Sequence, residues 1–396
     1  MTVLPWLVFL YLVLFPFGQL GRIEIAPSVT LHLGDLVVGA TALLWVVIQL
    51  AGRSFTKPPL SRPFLFIIAV FVFSLLAGMA KVTEKEALVG FLYLIRFGAY
   101  VILYFAIWDL VRKRFLSQTL IFTSLVAVGL YIIVFGWFQY FLMPDLRLLI
   151  KLGWDDHYFR LVGTFLDPGF TGILLVFFIL LVFSRLPALP VGGWKGIGQG
   201  RYWFFILQGT VTLAFTYSRA SYLALLAGLA TFYIVRRNLK LVLVPSLLLL
   251  LLIPLLPRPG GEGVRLERTS TVSTRWENYR EALGISLANP LLGVGFNLYR
   301  AGRPVSTDSH SGAGSDSSLL FVFATTGIIG LISFLGLWAR ILRFSWRRRM
   351  NENGIALLAT VVALLVHANF TNSLFYPWVL GWMAILLGMQ DETYGV

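Results

Sequence analysis

Apolar runs of bilayer length recur along this chain from end to end, and they leave its backbone few options. Roughly 20 residues of helix cross the hydrocarbon core of a bilayer. Inside that core every backbone N–H and C=O must be satisfied within the protein. Runs near 2–20, 29–50, 63–80, 88–110, 118–142, 169–184, 203–217, 219–235, 239–256, 318–339, 354–370 and 374–390 fit that description. The expected fold is all-α, a polytopic transmembrane helix bundle of about 12 spans forming a single integral membrane domain over 1–396. A β-barrel would show short alternating segments instead. Only 13% of the residues are charged, against about a quarter in a soluble domain.

Basic residues orient the bundle. With the N-terminus inside, the cytoplasmic segments hold seventeen Lys and Arg against four acids, while the outer segments balance at fourteen of each. The net charge of +14 therefore follows from topology, and nucleic acid is not an expected partner. Both termini come out cytoplasmic. The first run lacks a basic flank and a small-residue cleavage site, so it reads as a retained helix. The absence of cysteine excludes thiolate metal sites and a cysteine nucleophile.

One long polar interval, about 257–330, breaks the apolar pattern, and its 257–317 portion is expected as an external loop between spans nine and ten. Thr274-Arg275-Trp276-Glu277 has the form of a capping box opening a short helix. Trp276, Tyr279, Leu283 and Leu287 form its apolar stripe, and Asn289-Pro290 ends it. Such a helix either packs on the bundle or lies at the membrane surface. Leu292-Gly293-Val294-Gly295-Phe296 is a tight turn that admits close backbone approach; it lacks the pattern of a nucleotide fingerprint. Then come His310 and Asp316. Asp316 at the mouth of a span is either a desolvated base or, like Ser315, a helix cap.

Other charges sit where the bilayer makes them costly. Arg219 has almost no loop to occupy, Arg160 and Asp167 share the same outer surface, and Arg96 lies within a span. Arg96 either snorkels or serves function. Asp155-Asp156-His157 is the one candidate metal cluster, and it reads as a solvated loop.

The chain resembles the O-antigen ligase and polysaccharide polymerase superfamily of bacterial inner-membrane glycosyltransferases, most clearly over about 160–390. The motifs are Gly163-Thr164-Phe165 with Pro168, Ser218-Arg219-Ala220, the Arg275 helix with Asn289-Pro290 and Gly293-Val294-Gly295, Thr326-Gly327 with Gly330, and His367-Ala368-Asn369 with Phe375-Tyr376-Pro377. The family commonly carries a His-Asn pair shortly before that Thr-Gly. Here the place holds Asp316-Ser317, with His310 six residues earlier. The resemblance implies transfer of a glycan from a polyprenyl diphosphate carrier to an acceptor hydroxyl, the acceptor being a glycan or lipid-linked, with the bilayer as setting and no cofactor or metal. Arg219 and Arg275, backed by Arg160 and Arg280, are the expected diphosphate ligands. Asp316, then His310, is the expected base. Ligase and polymerase share donor and chemistry and differ in acceptor. A transporter or flippase, and a non-catalytic component of an export complex, are the rival classes.

Overall fold

The computed structural model describes residues 1–26, 29–53, 57–152, 154–186, 197–303 and 314–390. Within them the chain forms α1 (Val3–Leu14), β1 (Arg22–Ala26), β2 (Val29–His32), α2 (Leu33–Ala51), α3 (Ser61–Met79), α4 (Glu84–Arg112), α5 (Gln118–Leu142), α6 (Pro168–Phe183), α7 (Ile197–Ala214), α8 (Arg219–Arg236), α9 (Leu239–Leu255), α10 (Ser270–Ala288), α11 (Ser318–Arg347), α12 (Glu352–His367) and α13 (Pro377–Gly388). Each expected apolar run falls on a helix, and α10 is the additional one in the polar interval. Six helical stretches are long and apolar enough to cross a membrane, at Val3–Gly21, Leu33–Ala51, Ser61–Met79, Glu84–Arg112, Gln118–Leu142 and Ser318–Arg347. Shorter apolar helices are α6, α9, α12 and α13.

One departure from the all-helical expectation is a hairpin. Strands β1 and β2 pair antiparallel, with Arg22 opposite His32 and Ile23 opposite Leu31. The run expected as a helix from residue 29 therefore becomes helical only at Leu33. Asp35 explains the start, because its carboxylate accepts the His32 N–H at 3.0 Å and closes a capping box.

Helix α6 is the axis of the molecule. Every residue from Ile173 to Phe183 is buried, which an all-round apolar helix permits. Helices α12 and α13 are nearly as enclosed. The outer helices instead expose Trp6, Leu65, Phe66, Phe73 and Phe141, an apolar surface that suits lipid and would be costly in water. Among the described residues the structure is thus that of a helical, multi-pass membrane protein.

Arg96 neither snorkels nor points at solvent. Its Nη2 lies 2.9 Å from the Asp35 carboxylate, both side chains being under a tenth exposed. Tyr100 donates to the same carboxylate at 3.0 Å, and His32 bridges Asp35 to Gln19 at 3.1 and 2.9 Å. Removing one partner of a buried pair strands the other charge. Asp35→Asn is therefore expected to cost about 3 kcal/mol, read as a lower melting temperature in detergent; an unchanged melting temperature would show the pair to be idle.

The Gly293–Gly295 turn locks against a break in α11. Gly293, Gly295 and Gly327 all have positive φ. Val294 N–H donates to Ala324 O at 3.0 Å, Gly295 N–H to Thr325 O at 2.9 Å, and Ile328 N–H to Pro290 O at 2.8 Å. Ser74 Oγ donates to both Leu292 O and Thr325 O at 2.9 Å. A Cβ on Gly327 would collide with the Leu291 carbonyl. The close approach that these glycines allow is thus to a neighbouring helix. Gly327→Ala is expected to reduce the amount of folded protein recovered in membranes, while Gly336→Ala, where a Cβ meets nothing within 4 Å, leaves it unchanged.

Candidate functional site

The site forms where the N-termini of α6, α8 and α11 meet the C-terminus of α12. Each N-terminus is capped by its own side chain: Asp167 accepts from Phe170 N–H, Ser218 from Ser221 N–H and Ser317 from Leu320 N–H. Ser318 N–H donates to Ala368 O at 2.8 Å. Ser221 Oγ lies 3.3 Å from both Gly169 O and His367 Nε2. Three helix N-termini aimed at one region present partial positive charge there. The opposite ends of these helices hold a separate set of contacts, including the Arg185–Glu352 ion pair and Arg236 on the carbonyls of Ser184 and Leu186.

Loops bring the arginines in. The turn between α7 and α8 places Tyr217 at positive φ and seats Ser218 N–H on Thr216 Oγ1 at 3.2 Å. Leu161 N–H ties the preceding loop to this turn through Phe215 O at 2.9 Å. Arg160 then donates to Thr216 O at 3.1 Å. Arg219 donates to the carbonyls of Leu266 and Arg268, both at 3.1 Å. Arg268 in turn donates to Gly263 O at 2.9 Å and Arg265 O at 2.8 Å. The guanidinium groups thus fold the 257–269 loop down onto the helix ends.

Their charges crowd together. Burial pulls the Arg268 guanidinium below its ordinary value, and the charges of Arg219 and Arg275 pull it further. Burial and then Arg268 bring Arg160 down to about 10, with Asp167 and Asp155 opposing, so it stays charged at neutral pH. Arg275, on the second turn of α10, acts electrostatically on Arg219, Arg268, Tyr279, Asp316 and His367. It is the common neighbour of these five groups.

Asp316 is held in place without spending its carboxylate on the helix. Ser317 caps α11, so neither Asp316 nor Ser315 is the cap. Asn278 of α10 accepts the Asp316 N–H at 2.9 Å and the Ser315 hydroxyl at 3.1 Å. Burial raises the Asp316 carboxyl above the usual range, with Arg275 opposing and Asp155 adding to the rise. A carboxylate so desolvated is a stronger base than one in water.

Asp155, His157 and Asp167 lie close by. His157 is buried where the sequence pointed to a solvated loop; a lone bridge between Asp145 and Tyr158 folds that loop back. Burial, then Arg160 and Arg268, take its imidazole down to about 3, against a small opposing pull from the Asp156 backbone. It is neutral at physiological pH. Burial raises the Asp167 carboxyl; Asp155 is exposed as a residue, but desolvation of its inward-turned carboxyl raises it too.

Of the residues singled out by sequence, Arg160, Arg219, Arg275 and Asp316 come together. Arg280 does not join them: it is exposed and lies over the Trp276 ring, 5.8 Å from its centroid. His310 lies outside the described residues. Helix α10 begins at Ser270, so Thr274 is not its cap. Its apolar stripe also faces outward, with Trp276, Leu283 and Leu287 exposed while Ala282, Ile285 and Ser286 are buried. Sequence reasoning missed Arg268, which looked like one of several loop arginines, and the part played by Asp155. Only their three-dimensional neighbours distinguish them.

A family model described as O-antigen ligase matches residues 203–335. That stretch runs from α7 into α11 and includes Arg219, Arg268, Arg275 and Asp316; Arg160 and the Asp155–Asp167 region precede it. No curated protein matches the chain.

Proposed function

We infer that this chain, which matches a family model described as O-antigen ligase over residues 203–335, is a glycosyltransferase of bacterial cell-surface polysaccharide assembly. It takes a glycan from a polyprenyl diphosphate carrier and passes it to an acceptor hydroxyl on the outer face of a membrane crossed by about 12 spans, the number of apolar runs. The observation that carries this reading is the convergence of Arg160, Arg219, Arg268 and Arg275, each within electrostatic reach of another. Cations that disfavour one another are held together where an anion completes the site. Guanidinium suits a diphosphate because its fork pairs bidentately with phosphate oxygens.

The transfer then follows. Asp316 accepts the acceptor's O–H proton. The freed oxygen bonds to the sugar's anomeric carbon as that carbon's bond to the diphosphate oxygen breaks. The polyprenyl diphosphate leaves with the electron pair, and the arginines stabilise its growing charge. One direct displacement inverts the anomeric centre. The arginines supply cationic charge that a metal ion provides in other transferases. A transporter would need charges free at mid-membrane, and Arg96 is instead tied to Asp35.

Purified protein incubated with a lipid-diphosphate-linked oligosaccharide tests this. Release of lipid diphosphate with growth of the glycan, or its attachment to a lipid acceptor, is the expected result. Movement of intact donor across vesicles without bond exchange would replace the transferase with a flippase.

A further inference from the structure

Asp155, His157 and Asp167 occupy successive parts of the stretch between α5 and α6, yet their ligand atoms lie within 4.8 Å of one another. Their spacing matches no metal motif; folding alone joins them. His157 is only 6% exposed, and both of its ring nitrogens are buried with no contact of proper hydrogen-bond geometry, the Asp156 backbone exerting only the last and weakest pull on the ring. A buried polar group left so carries a desolvation cost that nothing in the protein offsets. Asp155 is exposed as a residue, but its carboxylate is turned toward the imidazole. Asp167 is fixed from behind, since its Oδ1 accepts the Phe170 N–H at 2.7 Å.

We propose that Asp155, His157 and Asp167 bind one divalent first-row cation, Mn2+ or Zn2+, beside Arg160. Donors about 2.0–2.2 Å from a single ion can stand no more than about 4.4 Å apart. The 4.8 Å envelope closes onto an ion with a small rotation of the exposed Asp155 side chain. An imidazole nitrogen among the ligands favours these ions over Ca2+ and Mg2+. Two carboxylates and a neutral imidazole balance the dication, so the charge of Arg160 remains available to a substrate anion. The bond to Phe170 N–H orients Asp167 as metal ligands usually are oriented. The binding of this ion does not depend on the transferase reading.

The test uses the full-length protein in nanodiscs, stripped with chelator and titrated with Mn2+ alone, with no donor or acceptor. Electron paramagnetic resonance of the free ion is expected to show one Mn2+ bound per chain. Added ion is expected to raise the melting temperature, as binding to the folded state must. Asp155→Asn and His157→Gln should each weaken binding at least about tenfold. Asp155 is exposed, so its variant tests the site even if His157→Gln fails to fold. Zn2+ is tested by competition for the same site. Absence of uptake and of any melting shift at millimolar Mn2+ and Zn2+ overturns the proposal. So does uptake undiminished in Asp155→Asn. Since no transfer is measured, loss of the cation site and loss of the transferase reading are separate results.

Discussion

Arg275→Ala is expected to lower glycan transfer by about 10²–10³-fold, while the protein still inserts and accumulates. The reason is the position of Arg275 as common neighbour of Arg219, Arg268 and Asp316. In the proposed reaction it would supply charge to the leaving diphosphate and also set the field around the base. Removing it relieves like-charge repulsion on Arg219 and Arg268, so the variant should melt no lower than the parent. Low activity with intact stability is the signature of an anion-binding role; low activity with low stability would make Arg275 a packing residue. Arg275→Lys keeps the charge and loses the bidentate fork, and should fall between the two. Measured on a lipid-diphosphate-linked glycan, full activity in Arg275→Ala would remove the cationic pocket as the basis for function.

Asp316→Asn is expected to reduce transfer by about 10²–10⁴-fold, the usual contribution of a general base. Its pH behaviour separates a base from a mere neighbour. Burial raises this carboxyl, so in the parent protein activity should fall on the acid side at a pH above the ordinary carboxylate range, because the protonated form cannot accept the acceptor's proton. The residual activity of Asp316→Asn should lack that acid limb. Stability moves the other way. A carboxyl whose folded-state value is raised favours the folded state below its unfolded value, near 3.9, and that advantage is lost as pH rises through the folded value. At neutral pH the parent therefore bears the cost of a buried charge, and the neutral asparagine should be at least as stable. A pH profile unchanged by the substitution would pass the role of base to another group.

Much of the fold was legible because a bilayer admits few structures. Runs of apolar residues had to be helices, and each falls on one. The Arg219 turn was readable for the same reason: a short connection between two such runs leaves a guanidinium little room away from the helix ends. Asp35 was not readable as the partner of Arg96, since the two belong to different helices and only packing brings them to 2.9 Å. The N-cap of α11 fell to Ser317 rather than to Asp316 or Ser315, a choice between adjacent cap-forming residues that local propensity does not make. The outward stripe of α10, with Trp276, Leu283 and Leu287 exposed, went against the usual rule that an apolar stripe packs inward.

The amino-acid sequence by itself determined a helical membrane protein, the place of its long polar interval, and four arginines, an aspartate and a histidine as candidates for the site. Those follow from local chemistry: apolar length, helix breakers, and charges that hydrocarbon does not tolerate. The tertiary structure decided which charges meet. It drew Arg268 into the cluster, left Arg280 on the exposed face, and joined His157 to two aspartates. Electrostatic coupling depends on distance through space, and in a packed helix bundle that distance bears no simple relation to separation along the chain.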